Sequence, residues 1–143
     1  MKSYTNIEQS KKLAEILPIE SADMCYRAYR EEGGIPDYQV SLCPFQFASW
    51  VGVPCWSLAA LFDILPSEFK YYETTYEIDI CKYVLTDDVD LYQIAYRNCK
   101  IDEDGHHSWK DMINTGEKED LVDACVEMIY KLKEKDLLWK RKI

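Results

Sequence analysis

Two stretches in the middle of the chain alternate apolar and polar residues at every second position, one short turn apart. In TTYEIDICKYVL, residues Tyr76, Ile78, Ile80 and Val84 share one face, while Glu77, Asp79, Cys81 and Tyr83 share the other. LYQIAYRNCKI then resumes the pattern, with Tyr92, Ile94 and Tyr96 together. A period of two is that of a β-strand, whose successive side chains point to opposite faces. The intervening TDDVD carries turn chemistry. The pattern therefore predicts a long antiparallel hairpin with one apolar face that another element must cover. Asp87, Asp88 and Asp90 are turn residues in this reading rather than calcium ligands, because no complete EF-hand pattern surrounds them.

Helical periodicity supplies the cover. Leu121, Cys125, Met128, Ile129 and Leu132 form a stripe at helical spacing in DLVDACVEMIYKLKEKDLL, with Glu117, Glu119 and Asp120 placed to favour its N-terminal turn. Near the N-terminus, Thr5 and Glu8 read as a T-x-x-E capping box ahead of a helix over residues 6–17, which Pro18 limits. ESADMCYRAYREEGG admits a short second helix closed by Gly33 and Gly34. In PCWSLAALFDILP, Leu58, Leu61, Phe62 and Leu65 make one face and Ala59, Ala60 and Ile64 leave little that is polar. Pro54 suits the first turn of such a helix, and an almost wholly apolar helix belongs inside a core. The expected fold is an α+β single domain spanning 1–143: N-terminal helices, a central buried helix, an antiparallel hairpin or small sheet, and a C-terminal packing helix.

Composition limits the functional classes. A chain of 143 residues that is 48% hydrophobic and 13% aromatic has one domain's size and apolar content enough for a core. No apolar run approaches the ~20 residues of a membrane span, and MKSYTNIEQSKKLAEIL lacks the apolar centre of a signal peptide. A soluble, cytoplasmic protein with no membrane partner is expected. The net charge of −9 argues against nucleic acid, whose phosphates require a basic surface. Six Lys or Arg against two acids lie from Lys131 onward, where cations complement the end of the last helix; the alternative is a basic docking tail anchored by Trp139. Six cysteines without any C-x-x-C spacing read as free, mostly buried thiols. The adjacent His106 and His107 diverge too much to share a metal, so neither a metal nor another cofactor is expected.

One segment carries unusual aromatic weight. IPDYQVSLCPFQFASWVGVP is punctuated by Pro36, Pro44, Gly52 and Pro54, holds a possible short strand at Tyr38 to Leu42, and carries Tyr38, Phe45, Phe47 and Trp50. These rings either cover the chain's own core or form a recognition surface, aromatic residues being enriched where interfaces concentrate their energy. Trp109 and Trp139 are further candidates for that surface.

A catalytic alternative rests on Cys55, placed directly after Pro54 at the expected helix start, where partial positive charge lowers a thiol pKa. A base would come from DEDGHHSWKD, expected as a solvated connector between the sheet and the last helix, with His106 and His107 exposed and Asp102 to Asp104 ending a strand. GVPCWSLAALF and HHSW resemble, locally, the transglutaminase-like and papain-like cysteine enzymes. That resemblance implies Cys55 as nucleophile, His106 or His107 as base and Asp111 as the orienting residue of a hydrolase or acyl-transfer enzyme. It departs from the pattern in Pro54, where those families have a small residue.

Over a third of the chain, YTNIEQSKKLAEILPIESADM, WSLAALFDILP and LVDACVEMIYKLKEKDLL together resemble a group of small uncharacterised accessory proteins from prophage and mobile-element gene sets of gut anaerobic bacteria. The resemblance implies a short bacterial or phage accessory protein and carries over no functional residue. With no complete catalytic motif, the expected role is a non-enzymatic protein–protein interaction module; the cysteine enzyme is the alternative.

Overall fold

A computed structural model describes residues 2–30, 36–41 and 52–138, with 28–30 and 36–41 placed by their backbone alone. The chain is α+β, with three helices and two antiparallel sheets among the described residues. It groups into two compact units, Met1–Ile64 and Leu65–Ile143.

The first unit begins with α1 (Ile7–Ile16). Its capping box is Asn6 with Gln9, one residue further on than the T-x-x-E reading predicts: Gln9 N–H donates to the Asn6 side chain at 2.8 Å and Asn6 N–H to Gln9 Oε1 at 3.0 Å. Thr5 is released from capping because it is fully buried, with other partners. A 3-10 turn (Ile19–Ser21) leads into β1 (Met24–Arg30), where a second helix is expected. Apolar residues crowd this stretch at spacings that suit either period, and pairing on both sides makes it the middle strand of a sheet. That sheet has the order β2-β1-β3, with β2 (Pro36–Ser41) covering most of the expected strand and β3 at Gly52–Cys55.

β3 moves Pro54 and Cys55 off the helix. An edge strand tolerates a proline, which has no N–H to give the ladder, and Pro54 sits opposite Cys25 on such an edge. Gly52 is required by contact: a Cβ there would strike the Tyr26 carbonyl of β1. The helix α2 (Leu58–Ile64) begins only after Ser57, whose hydroxyl accepts from Ala60 N–H at 3.1 Å. Asp23 accepts in turn from the Ser57 N–H and hydroxyl. α2 is thus shorter than its apolar run suggests, with Leu61 fully buried and Leu58 and Phe62 half-buried.

The second unit is a sheet of order β4-β5-β6-β7, all neighbours antiparallel. The expected hairpin is β5 (Thr74–Thr86) with β6 (Val89–Ile101), turning at Asp87 and Asp88. β4 (Glu68–Tyr71) pairs with the first residues of β5. β7 (His107–Asn114) pairs with β6 and corrects the connector reading, since HSWKDMIN is a strand and not a loop before a helix. Its alternation is masked because its apolar residues Trp109 and Met112 fall on opposite faces among polar ones, and Ile113 is the one that reaches the core. α3 (Leu121–Glu134), capped by the Asp120 side chain on Val122 N–H at 2.9 Å, packs on β6 and β7. Its Cys125, Met128, Ile129 and Leu132 are fully buried, as the stripe predicts; Leu121 is half-buried, and Val122 and Ala124 are fully buried beside them. Ile94 and Tyr96 of β6 are fully buried, and the Tyr96 ring stacks against Phe69 at 4.9 Å between centroids.

Candidate interaction surface

The first unit holds the residue on which the catalytic reading depends. Cys55 is fully buried, and its Sγ lies 3.6 Å from Thr5 Oγ1 and 3.5 Å from the Thr5 carbonyl oxygen. Thr5 is the hub of this cluster. Its Oγ1 lies 2.7 Å from Ser10 Oγ and accepts from Trp56 N–H at 3.2 Å, while its carbonyl accepts from the Tyr26 hydroxyl at 2.6 Å. Burial pushes the Cys55 thiol above its ordinary range, and the hydrogen bonds from Thr5 and Ser10, which act the other way, do not offset it. The helix-terminus argument for an activated thiolate therefore fails on position and environment alike: Cys55 ends a strand in a desolvated site that keeps the proton.

The other residues of the catalytic reading belong to the second unit and have partners there. Asp111, on β7 opposite Arg97, forms an ion pair with it, Oδ1 lying 2.7 Å from Arg97 Nε, and accepts from Asn114 Nδ2 at 2.8 Å. Arg97 also reaches Asp79 at 2.7 Å, so one guanidinium bridges β5, β6 and β7. Partial burial opposes its charge, but Asp111 and Asp79 outweigh that and raise its pKa. His106 is exposed in the turn, its Nδ1 3.4 Å from Asp102. His107, also exposed, opens β7 with Nδ1 3.7 Å from the sulfur of exposed Cys99. This cysteine–histidine pair is invisible in the sequence because eight positions separate two residues that only a hairpin brings together.

The turn between β6 and β7 holds the one donor set among the described residues with metal-like spacing. Asp102, Asp104 and His106 each place a ligand atom within 4.8 Å of the others, all exposed. Asp102 Oδ1 is already engaged, accepting the backbone N–H groups of Asp104 and His106 at 3.0 and 2.8 Å. That arrangement is an Asx turn, which accounts for the aspartate without an ion.

Of the expected recognition residues, Trp109 stands on β7 opposite Cys99 and is 62% exposed. Tyr38 is placed by its backbone in β2, opposite Ala28. Its side chain, with Phe45, Phe47, Trp50 and Trp139, lies outside the described residues.

A further exposed apolar surface, not among the expected recognition residues, lies on the second unit. Beyond Ile78 the β5–β6 ribbon runs past the end of β4; on its far side β6 still bonds to Thr115 and Lys118, and past the Lys82–Tyr92 pair the two strands run alone among the described residues. Along it Ile80, Tyr83, Val84, Leu85 and Val89 are exposed, Val84 by 68% and Leu85 by 63%. A bulge falls between Val84 and Thr86. Lys82 pairs with Asp90 at 3.4 Å. The signal was present in KYVLT, because three successive large apolar residues in a strand place apolar groups on both faces. One packing helix can cover only one of those faces.

No protein-family model, curated protein or solved structure matches the chain. No helix among the described residues is long and apolar enough to cross a membrane.

Proposed function

We propose that this chain is a small accessory protein that works by contact with another protein and not by catalysis, and that the β5–β6 ribbon is its contact surface. The observation that carries this reading is the exposure of Val84 and Leu85 beside Ile80, Tyr83 and Val89. Burying one such side chain contributes about 1.5–3 kcal/mol, which the chain forgoes at several neighbouring positions. A clustered apolar patch of this kind marks interaction sites, whereas single exposed apolar residues do not. The acidic balance of −9 supports a protein partner over nucleic acid.

The test compares the native complex recovered by affinity purification with wild-type protein and with a Val84→Ser/Leu85→Ser double variant. The partner should be lost from the variant while its thermal midpoint stays within a few degrees of wild type. Undiminished recovery with the variant would remove the ribbon from the interface.

A further inference from the structure

The backbone of β5 shows how such a partner binds. Ile78 N–H points away from β6 and donates to the Ser67 carbonyl, at 3.0 Å, on the β4 side. Strand alternation then directs the N–H and C=O groups of Ile80, Lys82 and Val84 to that same outer side, while Asp79, Cys81 and Tyr83 address β6. Among the described residues, no strand pairs with this outer edge beyond Ile78. The bulge begins only after Val84, so the three positions form a regular free edge. β-Branched or aromatic side chains stand on both faces, from Ile80 and Val84 on one and Tyr83 on the other. An edge of this kind is a template for strand addition, in which main-chain hydrogen bonds give affinity and alternate side chains give specificity.

Charge selects the occupant. Between Asp79 and Leu91 the chain has Asp79, Asp87, Asp88 and Asp90 against a single cation, Lys82. Asp79 is engaged by Arg97, and Lys82 is engaged by Asp90. Asp87 and Asp88, exposed at the turn, therefore set the sign of the tip. A second copy would bring the same acidic tip and a like net charge of −9, both repulsive.

Resting on the reading of the ribbon as the contact surface, we propose that the β5 edge from Ile80 to Val84 receives one extended segment of the partner protein. The segment runs antiparallel to β5, as every strand pair of this sheet does. Its residues beside β5 are apolar or β-branched, and its N-terminal end, which antiparallel pairing brings to Asp87 and Asp88, is cationic.

The experiment follows amide exchange by NMR in the full chain. The probe is a short peptide of alternating valine and threonine with a pair of lysines at its N-terminal end. At nine-tenths occupancy the Ile80, Lys82 and Val84 amides should exchange about tenfold more slowly, while Asp79 and Cys81, already bonded to β6, should change little. A peptide methylated at the N–H groups facing β5 should lose the effect, and raised salt should weaken it. Lys82→Pro should abolish it as well. That substitution removes an outward N–H together with the Lys82 charge, which leaves the tip more acidic, so its effect cannot be a loss of attraction for lysine.

Unchanged exchange at the three amides in excess peptide overturns the proposal. Equal binding of a peptide with glutamates in place of lysines overturns its charge selection. Slowing of the same amides with rising protein concentration and no peptide assigns the edge to a second copy. If the native complex survives Lys82→Pro but not Val84→Ser/Leu85→Ser, the ribbon remains the surface and strand addition falls. If it survives both, the ribbon falls too.

Discussion

Thr5 ties three parts of the first unit together through one hydroxyl and one carbonyl. Ser10 of α1, Tyr26 of β1 and the Cys55–Trp56 segment all bond to it in a site closed to water. Thr5→Val keeps the shape but leaves the Trp56 N–H and the Ser10 hydroxyl short of a partner. A stability loss of about 1–3 kcal/mol in urea unfolding is expected, the cost of stranding a buried polar group. The cysteines offer a second check at this scale. Burial, followed by the charge of Asp120, pushes the Cys125 thiol from 9.0 up to about 12. Below pH 9 the thiol is protonated in the folded and unfolded chains alike and the full stability is present. As pH rises from 9 towards 12 only the unfolded chain ionises, so stability must fall. Tyr26, also raised by burial, adds a fall of the same sign. Urea unfolding at a series of pH values should show this decline, and it should be shallower in Cys125→Ala. At this scale the sequence is ambiguous: T-x-x-E and N-x-x-Q both fit the entry to α1, and burial of Thr5 decides between them.

Elements were legible where one periodicity dominates. The β5–β6 hairpin and α3 each carry a long regular pattern over a buried face, and both form where expected. β1 was not legible because its crowded apolar residues suit a helix as well as a strand, and β7 because Trp109 and Met112 fall on opposite faces among polar residues. The start of α2 turned on Ser57, a better cap than Pro54 was a first turn, and that choice alone removed Cys55 from a helix dipole. The ribbon permits a test that isolates backbone direction. Lys82→Pro removes an outward N–H from a free edge and should leave the thermal midpoint within a few degrees. Cys81→Pro, one position earlier, removes an N–H directed at β6 and should cost about 1–3 kcal/mol by breaking the ladder opposite half-buried Gln93. Equal effects of the two substitutions would show that the alternation inferred from Ile78 does not hold along β5.

For the whole molecule, composition and pattern were sufficient for the α+β class, and the structure adds the division into Met1–Ile64 and Leu65–Ile143. The candidate site was less legible than the fold. The residues that stand out in the sequence are the aromatic rings of the Tyr38–Trp50 segment, Trp109 and Trp139, with Cys55 and the histidine pair as the alternative, whereas the proposed surface consists of common β-formers that no packing element among the described residues covers. The run Tyr83–Val84–Leu85 places apolar groups on both faces of β5, but which of them stay uncovered depends on what packs against the strand, and the pattern along it does not encode that. The measurement that bears most directly on the central claim is hydrogen exchange followed by mass spectrometry, on the protein alone and in its native complex. The account predicts that peptides spanning 79–91 exchange more slowly in the complex than in the isolated protein, where the outward amides of Ile80, Lys82 and Val84 are open, with the α3 segment unchanged. Protection confined to other segments, with 79–91 exchanging equally in both states, would contradict it.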